Sequence, residues 1–157
     1  MKFKDFMNGN VEVELPPNKE AKFRVNTYAI IEHNDSLLMV RDGRSEQGLE
    51  FPGGGIELGQ SPQEALLREV KEETGYDISE KMEIFFVSNE NYYHAQRDEY
   101  YCGLSLFFKC SLQSTIQGEQ DLDSEDEISE VVWVNKDELQ EEMIADFHKE
   151  AYNKLFK

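Results

Sequence analysis

The order of apolar and polar residues divides the chain into elements before any motif is considered. Over residues 22–33, Phe23, Val25, Tyr28, Ile30 and Ile31 raise the β-branched and aromatic content. Asn34-Asp35 then offers a tight turn before a strand from Leu37 to Arg41, which predicts a hairpin. Residues 42–48 form a polar loop and 49–51 a short strand. Pro52-Gly53-Gly54-Gly55 permits positive φ and is expected to be irregular. Ser61, Pro62 and Glu64 make a helix start, and Gly75 suits a C-cap, so a helix is predicted over 61–74. Segments 78–93 and 100–112, rich in Phe, Tyr and Val, predict a second hairpin joined by polar residues 94–99. An acidic, aperiodic loop follows at 119–130, and Val131 to Val134 predicts a short buried strand. Residues 136–142 and 145–156 are helical in composition, with Phe147, Ala151 and Leu155 at i, i+4 spacing. Residues 1–21 alternate weakly and meet Pro16-Pro17, which indicates an N-terminal arm or edge element.

A length of 157 residues suits one domain, expected over 1–157. Ten Phe and seven Tyr are enough to build a core, which excludes a disordered acidic tail. Sixteen basic against thirty-three acidic residues give a net charge of −17. Such a chain repels a phosphate backbone unless cations intervene, so nucleic-acid polymers and anionic membranes are poor partners. The same acidity suits recruitment of hard divalent cations, which take oxygen ligands. Cys102 and Cys110, an even number of residues apart, fall on one face of one strand and cannot easily pair, which excludes a disulfide framework. With no apolar stretch of signal-peptide or membrane length, a cytoplasmic setting is expected.

On a helix over 61–74, Glu69, Glu72 and Glu73 occupy one arc, beside an apolar arc of Leu66, Leu67, Val70 and Thr74. Glu69 and Glu73 are like charges at i, i+4 near the helix C-terminus, where the macrodipole also disfavours them. Taken alone, this is the ordinary make-up of a solvated acidic face. The glycine stretch and the helix together carry more. Gly54 is followed by five residues and Gln60, then by seven residues and Arg68-Glu69-Val70-Lys71-Glu72-Glu73-Thr74-Gly75-Tyr76. This resembles the Nudix box, matching it at Gly54, Arg68, Glu69, Val70, Glu72, Glu73 and Gly75. It departs at Gln60, where the family has Glu, and at Tyr76, where the family has an aliphatic residue.

The resemblance implies an α/β fold of Nudix type, an α-β-α sandwich with a mixed β-sheet and a loop-helix-loop metal site. It implies that Glu69, Glu72, Glu73 and the Gly54 carbonyl hold Mg²⁺ or Mn²⁺, an all-oxygen set that suits hard cations and relieves the glutamate repulsion. Arg68 fits a structural role, orienting carboxylates from i, i+4 positions. The family chemistry is hydrolysis of a nucleoside diphosphate linked to another moiety, releasing a nucleoside monophosphate. Glu72 and Glu73 would be catalytic. Glu127, six residues before Trp133, has the position of a general base in the loop. Gln60 keeps hydrogen-bonding capacity without charge, so reduced rather than abolished activity is expected.

For substrate binding, Arg24 and Arg41 are candidates for phosphate, and Tyr92 and Tyr93 for stacking on a base. The two tyrosines lie sixteen and seventeen residues after Tyr76, a spacing that in the family hints at dinucleoside polyphosphates. His33, His94 and His148 lack zinc-ligand spacing and are expected to be surface or packing residues. The leading expectation is a Mg²⁺-dependent pyrophosphatase of MutT type. Its rivals are a dinucleoside polyphosphate or nucleotide-sugar hydrolase and a non-catalytic nucleotide-binding module. The expected partners are a nucleotide-type small molecule and a second copy of the chain in a homodimer, with no nucleic-acid polymer and no membrane.

Overall fold

The computed structural model describes residues 1–7, 11–43, 48–122 and 128–157. The mixed sheet is organised around β3 (Ala21–His33), which runs parallel to β8 (Glu99–Leu112). β8 is antiparallel to β7 (Ile78–His94), and β7 is parallel to β1 (Lys2–Asp5), whose hairpin partner β2 (Glu12–Glu14) is the edge. On its other side β3 is shared. Asn26 to Tyr28 pair with β6 (Gly53–Gly55), and Glu32 and His33 pair with β4 (Ser36–Asp42). β4 then carries β5 (Leu49–Glu50) and β9 (Ile128–Asn135), so the sheet curls away from its main plane.

Local chemistry explains the turns. Asn34 and Asp35 both have positive φ, 48° and 59°, the conformation a two-residue hairpin turn requires and short polar side chains tolerate. The helix α1 (Pro62–Thr74) starts at a full capping box: Ser61 Oγ accepts from Glu64 N–H, and Glu64 accepts from Ser61 N–H. It stops at Gly75, left-handed at φ 76°, where a Cβ would meet the Gly118 carbonyl at 2.2 Å.

Two apolar clusters lie on opposite faces of the sheet. Ala29, Ile31, Leu38, Leu66, Val70, Tyr76, Ile78 and Phe108 pack under α1. Ile30, Leu37, Met39, Phe51, Phe107, Ile144, Ala151 and Tyr152 pack under α2 (Lys149–Phe156). Both sides of β3 and β4 are covered, which is why their sequences are continuous apolar runs rather than alternating ones.

Several expectations are corrected. The glycines 53–55 form β6, because the absence of side chains lets the backbone pair closely with β3: a Cβ on Gly53 would lie 2.1 Å from the Thr27 carbonyl. Residues 136–142 are turns leading to a 3₁₀ segment (Glu141–Met143) rather than a helix. α2 begins at Lys149 rather than 145, after a 3₁₀ turn (Asp146–His148) that removes Phe147 from its apolar stripe. β9 starts at Ile128, three residues before the predicted strand, because it pairs along the whole of β4. Cys102 and Cys110 both lie on β8 as free thiols.

Candidate active site

The acidic face of α1 meets the glycine strand. Glu73, only 7% exposed, accepts a hydrogen bond from Gly53 N–H at 2.9 Å. Glu69 lies so close to Gly54 that a Cβ there would be 2.8 Å from its carboxyl carbon. Arg68 is placed between carboxylates, 3.0 Å from Glu69 and 2.9 Å from Glu72. Burial opposes its charge, but Glu69 and Glu72 outweigh burial and hold the guanidinium above its ordinary pKa. Glu64, the other i, i+4 neighbour of Arg68, is committed to the helix cap. Gln60 Oε1 accepts from Glu57 N–H at 3.2 Å and from Arg68 at 3.4 Å, so the amide closes the loop onto the same arginine.

The C-terminal end of α1 is bound by the segment after β8. Asp121 N–H donates to the Glu72 carbonyl and Gly118 N–H to the Gly75 carbonyl. The Gln117 amide donates to the Thr74 carbonyl, and the Gln120 amide to that of Glu73. Helix-end carbonyls otherwise left without partners are satisfied, and the backbone carrying Glu72 and Glu73 is held in place. Sequence reasoning missed this strap, which has no local periodicity. It leads toward Glu127, which lies outside the described residues.

Arg24 lies on the opposite side of the glycine strand, beside a cleft that it does not itself line. A Cβ on Gly55 would lie 2.5 Å from an Arg24 terminal nitrogen, so β6 separates the box carboxylates from the Arg24 guanidinium. Arg24 donates to Asn26 Oδ1 at 3.2 Å and sits 5.7 Å from the Tyr101 ring centroid. Tyr92 lines the cleft and stacks on Tyr101 with centroids 5.1 Å apart. Burial raises its phenol above the ordinary value, with Arg24 opposing. The other two binding candidates are elsewhere. Tyr93 points to the other face of β7, where its hydroxyl meets Asp98 at 3.2 Å. Arg41 pairs with Glu130 across β4 and β9 at 3.0 Å, with both side chains about half exposed, and does not line the cleft.

The cleft also contains Phe6, Ser88, Glu90 and Gly103, which the sequence did not single out, and Phe147, expected instead on a helix stripe. The available signal was alternation, since Ser88, Glu90 and Tyr92 share one face of β7. His148, expected to be a packing residue, is buried there. It accepts from Phe51 N–H through Nδ1, and burial pushes its imidazole down to about 3.

A family model described as the NUDIX domain matches residues 22–155. The chain belongs to the NUDIX family. Among curated proteins it is 34% identical over 73 residues to an 8-oxo-dGTP diphosphatase of Escherichia coli, covering 41% of this chain and 57% of that protein. It is 49% identical over 47 residues to a mouse ADP-sugar pyrophosphatase, covering 28% of this chain and 22% of that protein. The matches thus span between a fifth and three fifths of these relatives' own lengths. A NUDIX hydrolase structure from Nitrosomonas europaea superposes with a TM-score of 0.64 at 26% identity, covering 85% of this chain and 88% of that one. The mixed curled sheet with helices on its faces is the NUDIX fold. One departure from the family box finds its explanation here: the Tyr76 hydroxyl accepts from the Trp133 indole N–H at 3.2 Å, tying the end of the box to β9.

Proposed function

We propose that this NUDIX chain hydrolyses the pyrophosphate bond of a nucleoside diphosphate-linked substrate, releasing a nucleoside monophosphate, with nucleoside triphosphates as the leading class. The observation that carries this is the position of β6, with Glu69 and Glu73 against one side and Arg24 against the other. A pyrophosphate approaching the glycine strand would meet the cationic Arg24 on one side, while the carboxylates across the strand supply oxygen ligands.

The residues fit a divalent cation. Glu69, Glu72, Glu73 and the Gly54 carbonyl are all oxygen donors, and the missing Cβ of Gly54 leaves room beside Glu69. Among the described residues no three acidic, His or Cys groups converge on one point, since Glu72 is paired with Arg68 and Glu73 with Gly53 N–H. When bound there, Mg²⁺ or Mn²⁺ would neutralise phosphate charge and lower the pKa of a water. Arg68 holds Glu69 and Glu72 in orientation, and Gly53 N–H holds Glu73. Glu127 is the proposed base, on its loop position before Trp133.

Relatives named as 8-oxo-dGTP diphosphatase, ADP-sugar pyrophosphatase and RNA pyrophosphohydrolase support the bond type rather than one substrate. The test is incubation with Mg²⁺ and a panel of nucleoside triphosphates, dinucleoside polyphosphates and nucleotide sugars, with chromatographic product detection. Release of a nucleoside monophosphate is expected, fastest from a triphosphate. No turnover of any member would leave the chain a binding module.

A further inference from the structure

The face of the sheet that carries α1 is only partly covered by it. Register places Phe23 of β3, Cys102 of β8 and Asn91 of β7 side by side on that face. The next row is Val25, Leu104 and Asn89, and the row after it is Thr27, Leu106 and Val87. Ile84 continues the face along β7, opposite Phe108. α1 packs over Ala29, Ile31 and Phe108 at the other end. Beyond the helix, apolar side chains run on into the open among the described residues. Phe23 is 72% exposed, Ile84 56% and Val87 46%, while Val25, Cys102 and Leu104 are half-buried.

A sheet face turned to water ordinarily carries polar and charged residues. Here Leu104 and Leu106 lie on this face while Phe107 packs on the opposite one, the pattern of a strand covered on both sides. None of the nine residues in the three rows is charged, in a chain that is 31% charged. At ordinary strand spacing and rise, the bare part of the face measures roughly 250 Å². That is about a third of the roughly 800 Å² per partner of a stable complex, and it suits the apolar centre of a smaller, reversible interface with a polar rim.

We propose that two copies of this chain meet on this face, as a reversible homodimer packed sheet against sheet. The charge of the chain selects this occupant. At −17, two copies repel wherever their charged surfaces meet. A two-fold axis through this face sets neutral area against neutral area, and an isologous contact needs no second, complementary surface. A basic partner would gain from carboxylates inside the patch, where the three rows offer none. An anionic membrane is repelled by the rest of the chain. Asn89 and Asn91 supply uncharged donors and acceptors on the β7 side. The dimer is independent of the hydrolytic reading and stands or falls without it.

Sedimentation velocity over about two decades of concentration around the micromolar range tests this on the whole chain. The mass is expected to rise from 18.3 kDa toward twice that value. Added salt should strengthen the dimer, because it screens the repulsion between two acidic chains and leaves the apolar contact in place. Phe23→Glu and Val87→Glu, at exposed positions, should each raise Kd at least about tenfold by setting like charges across the interface. Asn89→Asp adds the same charge with almost no change of shape and should also weaken association. Ile116→Glu, at a position 78% exposed but outside these strands, should leave Kd unchanged. Cys102 gives a second readout, since it lies on this face while Cys110 is buried: its labelling by maleimide should slow as concentration rises through Kd. Unchanged melting temperatures in dilute solution check the fold of each variant. A single-chain mass at every concentration and salt would overturn the proposal and leave the face to a different protein. A dimer that survives both glutamate variants, that weakens with salt, or that Ile116→Glu disrupts equally would overturn it as well.

Discussion

The two helices pack on opposite faces of one sheet and are specified in different ways. α1 has a complete capping box at its start, a left-handed glycine at its end, and carbonyls capped by the 117–121 segment. α2 has eight residues and no side-chain cap, and begins only after a 3₁₀ turn. An isolated helix of that length is marginal in water, so its stability comes from Ala151 and Tyr152 packed into the core and from the Tyr152 hydroxyl on the Leu139 carbonyl at 2.9 Å. The locally specified helix carries the carboxylates proposed as metal ligands. The turn before the tertiary-dependent one supplies Phe147 and His148 to the cleft wall.

The sharpest way to break this division is to remove charge from each helix. Glu73→Gln is expected to lower turnover by about a hundredfold or more, since it removes a charged oxygen from the proposed metal set. The exposed Glu150→Gln on α2 should change it by less than about twofold. Steady-state rates on the best triphosphate check both, and equal losses would mean that α1 has no special chemical role.

Next in size is the strand between them. Gly53 has φ 147°, and a Cβ on it would press on the Thr27 carbonyl and the Tyr28 Cα. Gly53→Ala should therefore cost about 2–3 kcal/mol in urea unfolding, as strained or overpacked substitutions do. It should also lower activity by displacing the partner of Glu73. A neutral substitution would show that β6 can move without loss.

How far each region was legible follows from the range of its forces. Ser61, Pro62, Glu64 and Gly75 act on neighbours within four residues, so the limits of α1 could be read directly. The box spacing depends on the same helix and on one loop. β6 could not be read, because three glycines have no propensity for a strand and pair only because β3 is already there. The beginning of α2 was misplaced because Ala145 N–H is bound by the Leu49 carbonyl and His148 takes the Phe51 N–H, both contacts across the fold. The cleft was half legible. Tyr92 carries chemistry in its side chain and could be singled out, whereas Gly103 and Glu90 reach the cleft only through alignment across the strands.

His148 offers a pH test of the α2 side. Its imidazole is pushed from 6.5 down to about 3 by burial, so the unfolded chain binds a proton that the folded one refuses across that interval. The sign follows: this contribution is fully present above about pH 6.5 and is lost as pH falls toward 3. Its slope is at most about 1.4 kcal/mol per pH unit. Urea midpoints for the unaltered protein and His148→Gln should converge as pH drops from 7 to 5. A constant gap between them would show that His148 is not held neutral.

The smallest expected effect tests whether the start of α1 is as self-contained as its caps imply. Ser61→Ala removes the acceptor of Glu64 N–H and leaves the reciprocal Glu64 contact to Ser61 N–H in place. Only half the box is lost, and the loss should be about 1 kcal/mol. Because the proposed ligands lie two turns and more along the helix, turnover under stabilising conditions should hold within about twofold while the urea midpoint falls. Ser61→Asp keeps an acceptor and adds negative charge at the helix N-terminus, so it should restore the midpoint. If Ser61→Ala instead lowers turnover as strongly as it lowers stability, the cap and the carboxylates are one unit. The sequence around Gln60 and Ser61 would then belong to the site and not merely to the helix that carries it.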